Sequence, residues 1–404
     1  MNVEELVRES LREQAVEQPA PGPGFADRVL ATRRRRRTRT FASVAAATAA
    51  VVAVAVAVPL LHSGEDRARL ASEMNLSDII AHPGQTPPRD LIAAGDTALA
   101  AYYTQHNVKQ TATRAVATRT YHLLDQKTGK YVKTTKWSVL AVAPGMRTAA
   151  VLENELPTRR IGVLDLLTGK VERWIPVDRG VAGIEFSPDG SRLVATTYAK
   201  NPDLIYKADY DSDGDGKKND WMPRFGESDR TGFYVIDVAS GKASWAKVAE
   251  TKDVNVRQDF AFGADGKLVY SGLTTEPTDQ YYDFEGHKVD KPAKEKYLHW
   301  FVEARLSPNG KLAAGDFAGG AKTTASAIND PDTGKRLYKV HGQQLLAWAD
   351  DKRLIAWDIA PGTNEFHNRL VLVTIGSDKV VPLSGFRKGN DGAGGRWTPV
   401  FAER

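Results

Sequence analysis

From about residue 120 onward the sequence keeps returning to two short phrases, and any fold for this chain has to house them. The first is a strand, a tight turn and another strand. It reads GIEFSPDGSRLVATT around Asp189-Gly190, DFAFGADGKLVYSG around Asp265-Gly266 and EARLSPNGKLAAGD around Asn309-Gly310, with looser copies at Pro144-Gly145 and Asp350-Asp351. The second is a hairpin phrase of the type Leu-Asp, a few polar residues, then Gly-Lys. It turns at Gly129, Gly169 and Gly241, and more loosely at Gly286, Gly334 and Gly376. Asp-Gly and Asn-Gly supply the positive φ that short hairpins need, and Pro188 and Pro308 preset the turn. The flanking residues alternate apolar and polar and are rich in β-branched types, as strands do.

The two phrases alternate. Their turn glycines recur about every 40–48 residues, with one long interval from Gly169 to Gly241. Four strands per such period is the pattern of a propeller blade. Six hairpin phrases face five strand-turn partners. The partner missing from the first blade is supplied by the last strand, Arg396–Phe401 (RWTPVF), which would pair the carboxyl terminus with the first blade and remove an exposed edge. The expected fold is therefore all-β, a propeller of six blades with seven as the alternative.

The segment Phe186-Ser187-Pro188-Asp189-Gly190, followed by Leu193, Val194 and Ala195, resembles the repeat of TolB-like and WD-repeat-like propellers, and the likeness extends over roughly residues 115–401. The only Trp-Asp pair is Trp357-Asp358. The resemblance implies a binding platform or scaffold and names no reaction.

Ahead of the repeats stands a second constraint. Phe41–Leu61 is a run of 21 residues without a charge, long enough as a helix to span a hydrocarbon core of about 30 Å. A cleaved signal peptide is the alternative, but the leader is 40 residues long and the apolar run exceeds the usual ~7–15. Six arginines between Arg33 and Arg39 hold the amino terminus in the cytoplasm, and Glu65 and Asp66 open the far side. This gives a basic cytoplasmic tail (1–40), a transmembrane helix (41–61), a stalk (62–105) with a helix expected over Asp90–Tyr103, and an extracytoplasmic propeller (106–404) with an insertion at 199–230. The leader combined with an Ala/Val-rich span also resembles membrane proteins of high-GC Gram-positive bacteria.

Charge narrows the partners. The net charge is +5, but residues 1–40 hold nine Arg against six acids, so the remainder of the chain is nearly neutral. A nucleic-acid protein would place its basic patch on the folded domain. The absence of cysteine excludes disulfides, zinc-thiolate sites and a cysteine nucleophile. No G-x-S-x-G, H-E-x-x-H, P-loop or G-x-G-x-x-G stands in the chain. The expectation is a non-enzymatic binding module for an envelope protein or peptide. Its alternatives are a sensor signalling through residues 1–40, where VEELVRESLREQAVE reads as a short helix, and a propeller hydrolase or lyase.

Two local features invite a site. In the insertion, KADYDSDGDGKKNDW alternates Asp209, Asp211, Asp213 and Asp215, with Asp220 following and Gly214 and Gly216 permitting a sharp bend. Hard cations such as Ca²⁺ take several carboxylate oxygens, and the loop resembles EF-hand-like and thrombospondin-type calcium loops without the Glu that ends an EF-hand loop. A structural calcium ion is the expected cofactor; a solvated acidic loop is the alternative. The aromatic series Tyr281, Tyr282, Phe284, Tyr297, Trp300 and Phe301 is read as blade packing, with a stacking platform as its alternative.

Overall fold

The computed structural model describes residues 79–211, 216–248, 252–320, 323–363, 365–388 and 396–404. The tail, the Phe41–Leu61 segment and the start of the stalk lie outside the described residues. Among those described, no helix is long and apolar enough to cross a membrane, and Ala293–Glu295 forms a single 3-10 turn. The fold is all-β and propeller-like: antiparallel strands in five hydrogen-bonded sheets.

Strand order resolves those sheets into six successive groups among the described residues. The first pairs Thr97–Lys109, Arg114–Asp125 and Lys130–Thr134 with the carboxyl-terminal strand Trp397–Glu403. The 17-residue strand Lys170–Phe186 serves two groups. Its residues up to Pro176 close the second (Trp137–Val142, Thr148–Glu153, Thr158–Asp165). Its residues from Val181 open the third, with Arg192–Tyr198, Arg230–Asp237 and Ala243–Lys247. The fourth holds Ala261–Phe262, Val269–Gly272, Asp279–Tyr282 and Lys288–Val289. In the fifth, a Leu306–Ala313 bridge precedes Ala313–Phe317, Ala325–Asn329 and Arg336–His341. The sixth is Gln344–Trp348, Arg353–Ile359, Asn368–Thr374 and Val380–Pro382.

The repeat phrases explain these groups residue by residue. Every hairpin glycine named from sequence, Gly129, Gly169, Gly241, Gly286, Gly334 and Gly376, joins a third strand to a fourth at φ between 66° and 89°. Gly145, Gly190, Gly266 and Gly310 join first strands to second at φ 65–78°. The aspartate of the hairpin phrase is turn chemistry as well. Asp165 Oδ1 accepts the amides of Leu167 and Thr168, and Asp330 Oδ1 those of Asp332 and Thr333.

Apolar clusters join five of the six neighbouring pairs of groups. Tyr121 packs with Trp137 and Leu164 between the first and second, and Ile161 with Leu193 and Ile236 between the second and third. Phe233 and Val194 meet Phe260 and Tyr282 between the third and fourth. Ile328 meets Leu345 and Leu354 between the fifth and sixth, and Trp357 and Leu370 meet Leu99 and Trp397 where the sixth returns to the first. Such contiguous burial, at about 25 cal/mol per Å² of apolar surface, is what holds the circuit together.

One expectation fails. Residues 90–103 form no helix: Ala93–Ala94 and Thr97–Lys109 are strands, joined by a two-residue turn at Gly95-Asp96 in which Ala94 faces Thr97. Part of the segment read as a stalk is thus built into the first sheet. The alanine-rich run has helical propensity, but Ala93, Ala94, Ala98, Leu99 and Ala101 are wholly buried, and burial overrides propensity. Gly95 is the signal that was missed. It has φ 55°, and a Cβ there would meet the Ala349 carbonyl oxygen at 2.1 Å.

Candidate binding face

In antiparallel groups linked end to end, connections alternate between two edges. First-to-second and third-to-fourth turns share one edge, which holds every repeat phrase. Second-to-third and fourth-to-next-first connections share the other. Among the described residues, that second edge holds 199–211 with 216–229, 252–260, 298–303 and 383–388, all longer than the tight turns opposite, beside short links at 135–136 and 342–343. Long connections on a rigid scaffold are where binding residues concentrate.

Exposed apolar side chains gather there too. Val108 sits near the tip of the first group's long hairpin, Tyr210 and Phe225 in the insertion, Phe301 before the fifth group and Phe317 at the start of that group's second-to-third connection. The exposed Val132, Leu337 and Tyr338 instead lie on fourth strands.

A buried charge cluster fixes this edge. Insertion strand Leu204–Lys207 pairs on one side with residues 114–116 of the first group's hairpin and on the other with Trp221–Met222. Just before it, Asp203 accepts two bonds from Arg119 (2.9 and 3.1 Å) and two from Arg257 (2.6 and 2.8 Å). Arg119 also donates to the Ser138 carbonyl, and Arg257 to the Ala182 carbonyl and Asp259. Tyr198 donates to the other Asp259 oxygen at 2.8 Å. Asp259 fits only because residue 183 is glycine, where a Cβ would stand 2.3 Å from the carboxylate. Desolvation works to raise the Asp203 carboxyl, but Arg257 and Arg119 together outweigh it and hold it below the ordinary carboxylate range. Burial pushes the Tyr198 phenol up, so it stays a neutral donor. One carboxylate thus ties the insertion to the first, second, third and fourth groups.

Two more carboxylates stand near the starts of groups, Glu185 on the first strand of the third and Glu303 in the turn before the fifth. Each meets the following group: Phe262 N–H donates to Glu185, and Gln344 Nε2 to Glu303, each at 3.3 Å. Both glutamates retain solvent-accessible surface, yet desolvation by the surrounding protein pushes each up to about 7. Arg387 is driven the other way, down to about 9, by burial and by Arg396. Its guanidinium lies 3.6 Å from the Trp357 ring centre and donates to Asn368 and the Trp397 carbonyl.

Between the fourth and fifth groups the contacts on view are polar. Arg305 donates to Tyr281 (2.6 Å) and Glu295 (2.8 Å), and Tyr281 to Glu295 (2.8 Å). The aromatic series accordingly divides. Tyr281 and Tyr282 are buried, Phe284 packs on Phe262, Tyr297 lies against Gly334 and Trp300 donates to the Leu273 carbonyl. Phe301 alone among them is exposed, stacked on His299.

Of the acidic loop residues, Asp209, Asp211 and Asp220 are described, while Asp213 and Asp215 lie outside the described residues. The loop closes a hairpin whose base is Ala208 N–H to the Asp220 carbonyl, 2.9 Å. Asp211 Oδ2 accepts the Gly216 amide at 3.1 Å. Among the described residues, no three His, Cys, Asp or Glu come together to hold a metal. Trp357-Asp358 is structural: Trp357 is core, and Asp358 pairs with His341 (2.6 Å) and Arg369 (3.0 Å).

No protein-family model matches the chain, and no curated protein matches it. Among solved structures it is similar to TolB from Acinetobacter baumannii, with 15% identity, a TM-score of 0.35, and 70% of this chain and 67% of that one covered. It is also similar to Kuenenia stuttgartiensis hydrazine synthase, with 15% identity, a TM-score of 0.32, and 60% of this chain and 64% of that one covered. At that distance no residue role passes from either to this chain.

Proposed function

We propose that this chain is a membrane-anchored, non-enzymatic binding module. In this reading residues 1–40 lie in the cytoplasm and Phe41–Leu61 crosses the membrane. The six strand groups are the blades of an extracytoplasmic propeller whose long-connection face holds an envelope protein or peptide. The observation that carries it is the asymmetry of the two faces. One is made of tight repeat turns; the other gathers long connections, exposed Tyr210, Phe225, Phe301 and Phe317, and a charge cluster that ties down the base of the insertion. Rigid scaffolds presenting exposed aromatic side chains are suited to recognition.

Cross-linking in intact cells, followed by mass spectrometry on the full-length protein, tests it. Partners attached to residues 62–404 support the module. Partners attached only to residues 1–40 would replace it with a cytoplasmic signalling role. Within this proposal the 209–220 loop holds a structural Ca²⁺, with Asp209, Asp211, Asp213, Asp215 and Asp220 supplying oxygens. At ~100-fold excess over its dissociation constant the ion adds about 2.7 kcal/mol of stability. Millimolar Ca²⁺ is expected to raise the melting temperature. An unchanged value, or a shift that survives Asp211→Ala with Asp213→Ala, removes the site.

A further inference from the structure

The insertion that Asp203 ties down also shapes a groove. A cavity of about 470 Å³ is lined by Lys200, Tyr206, Arg224 and Lys252, among others. A second opening, about 790 Å³, lies over Tyr210, Met222 and Phe225. Arg224 and Glu227 line both, so the two join into one groove with a cationic half and an apolar half. Lys200 is taken by Asp229 at 2.9 Å. Arg224 sits 4.4 Å from the Tyr206 ring centre, a contact that uses the face of the guanidinium and none of its N–H donors. Among the described residues, neither Arg224 nor Lys252 meets a carboxylate, and Glu227 pairs with neither. The apolar half is open to solvent, with Phe225 65% and Tyr210 57% exposed.

We infer that this groove binds an acidic–aromatic peptide segment, its carboxylate on Arg224 and Lys252 and its apolar side chain on Tyr210, Met222 and Phe225. The inference rests on the binding-module reading and names the partner's chemistry. A planar guanidinium held by an aromatic ring is a carboxylate receptor with little left to order on binding. An anionic bilayer fits less well, because it would press a plane of negative charge on Glu227 and Asp229 as well, which line the same groove, whereas one peptide carboxylate can settle on Arg224 and Lys252 alone.

The test uses full-length protein and fluorescein-labelled octapeptides that carry a glutamate two residues from a phenylalanine, with the same peptides bearing lysine as controls. Fluorescence anisotropy is expected to show binding of the glutamate set only. Arg224→Glu combined with Lys252→Glu should weaken it at least about tenfold, and Phe225→Ser should weaken it independently. All these residues are at the surface, and an unchanged melting temperature shows that the variants fold. Equal binding by the charge-reversed variant, or by the lysine peptides, overturns the groove while leaving the binding-module reading standing. Binding to phosphatidylglycerol vesicles that Arg224→Glu with Lys252→Glu weakens, with no binding to any peptide, overturns the peptide class. Loss of any extracytoplasmic partner in the cell cross-linking would instead sink the module reading itself.

Discussion

Removing the Asp203 carboxylate should loosen the insertion without dismantling the blades. The side chain is 7% exposed and accepts four charge-assisted bonds, while Arg119 is only 9% exposed. Breaking a buried ion pair by deleting one partner costs about 3–5 kcal/mol, because the surviving charge stays buried. Here the lower end applies, since Arg257 keeps Asp259 at 2.8 Å and the Ala182 carbonyl. About 3 kcal/mol corresponds to roughly 100-fold faster exchange of the amides at 114–116 and 204–206, which pair across this joint. Hydrogen exchange on Asp203→Ala and Asp203→Asn reads that change directly. The folded Asp203 pKa is depressed, so its contribution is present above the unfolded value near ~3.9 and is lost as pH falls through the folded value. The wild-type advantage should therefore be constant from neutral pH down to mildly acidic pH and fade in stronger acid. A change below about fivefold, or one spread evenly over all six groups, would refute the reasoning.

Two further outcomes follow from the same geometry. Glu185 and Glu303 have folded pKa values raised to about 7, so the folded state binds more protons than the unfolded one above the ordinary carboxylate range. Their penalty to stability therefore grows from mildly acidic pH up to about 7, and Glu185→Gln with Glu303→Gln should raise the melting temperature more at pH 8 than at pH 5. An equal effect at both would contradict the raised values. Gly95→Ala, whose Cβ would meet a carbonyl oxygen at 2.1 Å, should destabilise far more than Gly129→Ala, which has nothing within 4 Å and bears only the left-handed φ cost of about 1–2 kcal/mol. Denaturant unfolding of the two variants compares them, and similar midpoints would count against the Gly95-Asp96 turn.

What the sequence displayed best was local. The turn glycines are readable because positive φ restricts residue choice at single positions, and all ten named ones adopt it. The pairing of the carboxyl-terminal strand with the first group was legible from a missing partner in the count, and Trp397–Glu403 does pair with Thr97–Lys109. What it hid was long-range. Arg119, Asp203 and Arg257 lie 84 and 54 residues apart and share no spacing motif. One signal was present all the same: each of the three clearest strand-turn phrases carries an acid near its start, Glu185, Asp259 and Glu303. Glu185 lies in the first strand of its group, while Asp259 and Glu303 stand just before theirs, away from the tight turns. The repeats drew attention to the edge of tight turns, while the buried Asp203 cluster gathers at the other.

The most direct test of that division is a photo-cross-linking residue placed singly in the full-length protein in intact cells. Positions 225, 301 and 317 report on the long-connection face, and 189, 265 and 309 on the turn face. Adducts confined to the first three are predicted. Adducts of equal or greater yield from the turn face would contradict the account.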